Sequence, residues 1–340
     1  MLASYTPNNR QYRKTLNRMG WSMLLFIGLI GTTTSISSAV DMIRTLIPST
    51  FWYNLLTALS GILSPICYML PFFLTGLFFT RSIHAEQVSF EIKLPREFPL
   101  LILAGLAILS AGAYINSWFC SAIGYTIPAD MAVIQAYDTP SAIIQYMAVG
   151  LAPAFAEEFL FRGVFYSNLR PYGRTQAILI SSLLFALMHQ NIGQLFYTFM
   201  AGIAMALMYE LTGSIWCSVF FHLLNNELAV LSELLYYKGG ETAQAYLTIF
   251  DGIMLLLGII SIFLLITYYK KQATCRKAER LNGILGVRDE TPLRGDRPLS
   301  AASVFKNALC PGMIVFTAVT AALMGLTWLI LAVFNSGVLM

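Results

Sequence analysis

The sequence predicts an all-α protein, a polytopic transmembrane helical bundle of about eight or nine spans. Three observations predict it. The 340 residues are 57% hydrophobic and 11% charged, whereas an ordinary soluble domain carries about 25% charged residues. Mean hydropathy is +0.67. Apolar runs of roughly 20 residues, the length that crosses a bilayer, recur along the chain with basic connections between them. No large soluble domain fits that composition. The net charge of +4 is small, and the Lys and Arg residues gather at segment ends. That is an orientation signal and not a nucleic-acid-binding stripe.

The first span, near 19–41, follows a basic tail with Arg10, Arg13, Lys14 and Arg18. No small-residue cleavage site follows a short apolar stretch, so the run reads as a retained helix and not as a removed signal peptide. The second, near 51–80, is long enough to tilt or break, with Pro65 and Pro71 as kink points. The third covers about 98–124 and the fourth 145–169. The fifth and sixth, 175–192 and 195–211, are short and closely spaced, and read as a hairpin or a partly re-entrant pair. The seventh and eighth lie near 214–236 and 246–268, and the ninth near 311–335.

Loops around Arg81, Lys93 and Arg96, around Arg170 and Arg174, and from Lys270 to Arg280 are basic. Those at 42–50, 125–140 and 237–246 hold only Arg44 and Lys238. The alternation sets the N-terminus in the cytoplasm and the C-terminus outside. The chain divides into N-terminal helices (1–144), a core carrying three polar motifs (145–236), and C-terminal helices (237–340) with a polar cytoplasmic linker at 270–310. No internal repeat supports the inverted-repeat design of transporters. The five cysteines, Cys67, Cys120, Cys217, Cys275 and Cys310, are scattered without metal or disulfide spacing.

The three motifs are Ala156-Glu157-Glu158-Phe159-Leu160-Phe161-Arg162, Phe185-Ala186-Leu187-Met188-His189 and His222-Leu223-Leu224-Asn225-Asn226. Ionisable groups at bilayer depth cost a few kcal/mol or more each, so they mark function. Residues four apart share a helix face. Glu158 and Arg162, Phe185 and His189, and His222 and Asn226 are such pairs, and Glu157 sits about 100° around the helix from Glu158. Depth is the sharper criterion. At 1.5 Å rise per residue, Glu157 lies ~20 Å from Arg170, His189 ~22 Å from Arg174 and His222 ~15 Å from the turn at Thr212-Gly213. Three helices thus deliver polar groups to nearly one level.

Two adjacent carboxylates in a low-dielectric site take different jobs. Arg162 is the counter-ion of Glu158, which leaves Glu157 as general base on a water. His189 positions or shares that water. His222 and Asn226 donate to the oxyanion formed when water attacks a carbonyl. The set describes amide hydrolysis without a covalent enzyme intermediate. Glu227 and Asn191 are candidate supporting groups. His84, Glu210 and Glu233 lie in a loop or near helix ends and read as solvated or interfacial.

E-E-x-x-x-R, F-x-x-x-H and H-x-x-x-N, in that order on successive apolar helices, resemble the CPBP family, the CAAX prenyl proteases and bacteriocin-processing enzymes also called Abi. The matching stretch runs from about 148 to 230, and Arg162-Gly163 is also in place. The resemblance implies an intramembrane endopeptidase with a CAAX-protease-like helical core. It implies Glu157 as base helped by His189, an oxyanion hole from His222 and Asn226, and support from Glu158, Arg162 and Phe185. The family has also been described as metallopeptidases. Glu157, His189 and His222 would be the three zinc ligands. However, the H-E-x-x-H helix is absent and zinc would remove Glu157 from the role of free base, so no metal or other cofactor is favoured.

The expected partners are a membrane-anchored or lipidated peptide or protein substrate and the lipid bilayer, with no nucleic acid. The short loops fit a multi-pass protein of a bacterial plasma membrane. Two other classes compete. A proton-coupled transporter would spread its ionisable groups through the bilayer, whereas these concentrate at one level. A non-catalytic bacteriocin-immunity protein that kept the fold would have an eroded motif, and none is eroded.

Overall fold

The computed structural model describes residues 9–46, 49–81, 92–125, 150–281 and 300–335. The regular structure among them is helical throughout. The helices are α1 (Asn9–Thr45), α2 (Thr50–Thr80) and α3 (Phe98–Ala122), then α4, which begins at Ala152–Glu158, and α5 (Arg174–Met188). They continue with α6 (Leu195–Thr212), α7 (Ile215–Leu281), α8 (Ala301–Ala308) and α9 (Pro311–Asn335). Among the described residues, five helical stretches are long and apolar enough to cross a membrane, and Ile66–Thr80 and Arg174–Met188 are shorter apolar helices. This is the all-α membrane bundle that the composition predicts. His84, residues 126–140 and residues 282–299 of the expected 270–310 linker lie outside the described residues, and the linker's two flanks are helical, 270–281 at the end of α7 and 301–308 in α8.

The loop expected at 237–246 is helical on both sides of a single residue. Gly240 takes φ 56° and ψ −139° inside α7, a conformation open to glycine and costly for residues with a Cβ. The chain folds back there. Phe221 in the first arm lies where a Cβ on Gly105 of α3 would sit, and Gly258 in the second arm abuts Leu103 and Ala107 of the same helix. A straight helix would hold residues 221 and 258 ~55 Å apart. The two expected spans are therefore the antiparallel arms of one hairpin, both packed on α3.

α4 is the centre of the bundle. Nearly every residue from Ala152 to Leu169 is buried, Glu157, Glu158 and Arg162 included. After Glu158 its hydrogen bonding widens to the π pattern over Phe159–Tyr166. It ends in a 3-10 turn at Arg170–Tyr172 and at Gly173. Glu210, at the end of α6, ties this end together: it accepts from Arg170 Nε at 2.7 Å, pairs with Arg174 at 2.5 Å and accepts from the Tyr166 hydroxyl. That anchor joins the ends of α4 and α6 to the start of α5. The sequence reading placed Glu210 near an interface without partners.

Small residues allow the closest crossings. A Cβ on Gly20 of α1 would collide with the backbone of Gly312 of α9. Asn17 Oδ1 accepts from the Gly312 amide there at 2.7 Å. A Cβ on Gly202 of α6 would fall 2.8 Å from the Cβ of Ser182 in α5. Close backbone approach of this kind is how apolar helices associate in lipid.

Candidate active site

The first motif sits at the junction where α4 turns from α to π winding. Glu157, Glu158 and Arg162 are 3%, 0% and 0% exposed. None can face lipid. Arg162 Nη1 donates to Glu158 Oε1 at 2.7 Å, the i, i+4 pair expected from the spacing. Arg162 Nη2 donates to the carbonyl of Gly202 at 2.9 Å. The close α5–α6 crossing at Gly202 thus presents the carbonyl that helps hold the buried guanidinium.

Glu158 has a second partner that the spacing did not reveal. Nδ1 of His222, from the first arm of α7, lies 3.0 Å from the same Oε1. An oxygen paired with Arg162 is an acceptor, so His222 carries a hydrogen on Nδ1. Its other nitrogen, Nε2, lies 3.8 Å from Glu157 Oε2. The imidazole therefore stands between the two carboxylates of the first motif.

Phe185 of α5 packs against all three motifs. Its ring lies 4.7 Å from the Arg162 guanidinium carbon, 4.9 Å from the His189 ring and 5.8 Å from the His222 ring. Its carbonyl is 2.9 Å from His189 Nδ1. A carbonyl only accepts, so Nδ1 carries the hydrogen and Nε2 of the neutral ring is the acceptor. The F-x-x-x-H spacing thus has a backbone cause as well as a side-chain one. The carbonyl belongs to the last turn of α5, where helix carbonyls lack an intrahelical donor. Directly after His189, Gln190 adopts φ 50° and turns the chain away.

A cavity of about 380 Å³ opens beside these groups, walled by Phe185, His189, His222, Asn225 and Asn226 on its motif side. Neither Glu157 nor Glu158 is part of its wall. Glu157 reaches it through its neighbour His222, and shares no hydrogen bond or ion pair with His189. All three motifs therefore converge, with the acid beside His222 and His189 on the cavity wall.

Several polar residues of the site were missed from the sequence. Tyr68 of α2 donates to Glu157 Oε1 at 2.6 Å. Tyr197 of α6 donates to Asn225 Oδ1 at 2.5 Å, and Asn225 Nδ2 lies 3.4 Å from Asn226 Oδ1. Asn116 of α3 donates to the Gly193 carbonyl at 2.5 Å and accepts from the Phe196 amide at 3.1 Å, which pins the 192–196 turn to the cavity rim. An amide inside an otherwise apolar span was the available signal for Asn116. Tyrosine is too common in such helices to mark Tyr68 or Tyr197. Of the two supporting candidates, Asn191 caps the turn by accepting from the Gly193 amide at 2.8 Å. Glu227 Oε1 lies where a side chain on Gly150 would begin.

Among the described residues no three His, Cys, Asp or Glu side chains converge on a metal position. Residues 139–228 match the family described as type II CAAX prenyl endopeptidase Rce1-like. The resemblance drawn from the three motifs is borne out over that segment, and it points to an intramembrane endopeptidase as the function class. Neither the curated proteins nor the solved structures yield a match.

Proposed function

We propose that the protein hydrolyses a peptide bond in a membrane-anchored, lipid-modified peptide or protein, with Glu157 as general base and no covalent intermediate. The observation that carries this reading is the junction of Glu157, His222 and Glu158 beside a cavity whose wall includes His222 and His189. The scissile carbonyl enters the cavity. Glu157 takes a proton from water, and the resulting hydroxide adds to the carbonyl carbon. The carbonyl oxygen gains the negative charge, and His222 Nε2 and the Asn226 amide stabilise it. Because His222 Nδ1–H is committed to Glu158, donation from Nε2 requires a hydrogen on both ring nitrogens, and in that form Glu158 is the carboxylate that balances the ring. The Glu157 proton then passes to the leaving nitrogen as the C–N bond breaks.

His189 accepts from the attacking water through Nε2, a role its Phe185-bound tautomer suits. Glu158 and Arg162 hold His222 and do not touch substrate. No step is assigned to a metal. The protein would sit in a bacterial plasma membrane with its N-terminus in the cytoplasm, as the distribution of basic loops supports.

Purified protein in lipid nanodiscs tests the reading with a quenched fluorogenic peptide ending in a prenylated Cys-aliphatic-aliphatic-X motif. Glu157→Gln and Glu157→Ala should lower kcat by roughly 10²–10⁴-fold. Wild-type turnover by both variants would refute the general-base assignment.

A further inference from the structure

Tyr68 lies outside the segment that carries the family match, yet it makes the only hydrogen bond to the Glu157 side chain among the described residues. Its hydroxyl donates to Oε1 at 2.6 Å. That separation falls in the range of O–H to ionised-oxygen bonds, which are shorter and stronger than neutral ones. The other oxygen, Oε2, is buried without a hydrogen-bond partner among the described residues. It is also the oxygen that faces His222. The two oxygens of one carboxylate are therefore held in different states.

The position of Tyr68 is built into the packing of α2 against α4. Its ring meets Phe72 at 5.3 Å, and Phe72 in turn packs on Phe26 of α1 at 4.7 Å. One helical turn along, Phe73 meets Phe159 at 4.8 Å. Gly76 then lets Phe159 come within 3.1 Å of its Cβ position, and Phe79 meets Phe165 at 5.3 Å. This seam runs along the α4 segment that follows Glu157, so the hydroxyl has little freedom to move away.

We infer that Tyr68 is a positioning residue for the base: by binding Oε1 it orients the Glu157 carboxylate and assigns Oε2 as the oxygen that takes the proton from water. The inference rests on the proposed role of Glu157. A phenol that merely satisfied its own hydroxyl would leave the chemistry alone. One that orients the base must change kcat more than KM, and must change the pH at which the base becomes available. The charged and titratable groups around Glu157 are Tyr68 from α2, Glu158 and Arg162 from α4, and His222 from α7. Removing Tyr68 alone takes away a donor that favours the ionised carboxylate.

The experiment compares wild type, Tyr68→Phe, Phe72→Leu and Glu157→Gln with the same prenylated fluorogenic peptide in nanodiscs across pH. Tyr68→Phe should lower kcat roughly 10- to 100-fold, leave KM within about two-fold, and move the acidic limb of kcat/KM to higher pH. Phe72→Leu loosens the same seam without touching the hydrogen bond and should leave that limb in place. An unshifted limb and unchanged kcat in Tyr68→Phe, with Glu157→Gln inactive, overturns the role of Tyr68 while sparing that of Glu157. A Phe72→Leu profile that reproduces that of Tyr68→Phe reduces the effect to packing and overturns it too. Full activity in Glu157→Gln removes the base and the positioning role together.

Discussion

Nδ1 of His222 lies 3.0 Å from the Glu158 oxygen that also holds Arg162. Two residues 64 positions apart in sequence thus form the middle of a buried chain from guanidinium to carboxylate to imidazole. The adjacent acids of the first motif divide their work by partner. One fixes a ring, and the other is left with an oxygen for water.

Glu158→Gln leaves the Arg162 guanidinium buried without its counter-charge. Removing one partner of a buried pair costs about 3–5 kcal/mol. The variant should melt well below wild type in nanodiscs, and Arg162→Leu should fall similarly. Thermal unfolding followed by circular dichroism reads both. An unchanged midpoint for Glu158→Gln would mean that the pair carries no stability.

His189→Asn keeps a side-chain donor near the reach of Nδ1 while removing Nε2. The bond to the Phe185 carbonyl should survive, so the fold holds and the melting point stays close to wild type. Turnover of the prenylated peptide should drop about 10²-fold or more. Retained turnover would take His189 out of the reaction.

Asn116→Ala removes both hydrogen bonds that pin the 192–196 turn. A net loss of about 1–3 kcal/mol is expected from two bonds made by a buried amide. Hydrogen exchange should quicken at the Phe196 amide, which loses its acceptor, and not along α4. Equal exchange in mutant and wild type would show that the turn holds without the amide.

Gln190→Gly should equal or exceed wild type in stability by up to about 1 kcal/mol, because a left-handed residue with a Cβ is replaced by one that adopts φ 50° freely. Gln190→Ile should be destabilised. Paired thermal melts decide the sign, and the opposite order would place the strain elsewhere.

Exhaustive chelation should leave turnover unchanged, since Glu157 and not a metal activates the water in this scheme. Loss of activity restored by zinc alone would reverse that assignment.

Much of this was legible in the amino acids. The apolar runs gave the helices, and the i, i+4 spacings gave the Glu158–Arg162 pair and the neighbouring Phe185 and His189. The convergence of His222 on the first motif followed from polar groups at a common depth. The rest depended on tertiary placement. Which of Glu157 and Glu158 meets His222 Nδ1 depends on how α7 docks against α4, which local spacing does not announce. The hairpin at Gly240 read as a ten-residue loop because Gly239-Gly240 and the polar residues around it look like a connection. Only the packing of both arms on α3 reveals one residue making the turn. Tyr68 carried no signal at all, since its importance comes from facing an acid on another helix.

The π-wound stretch Phe159–Tyr166 lies between the two acids and the arginine anchor at Arg170. It acts as a phase shifter, because extra residues in a wide turn set the angular register between the two ends. Each residue of an ordinary helix advances about 100°. Deleting one residue from its last part, Val164–Tyr166, would leave every motif letter intact, yet swing the acids through roughly that angle against their anchor. Chain length in these eight residues is therefore constrained as tightly as any side chain they carry.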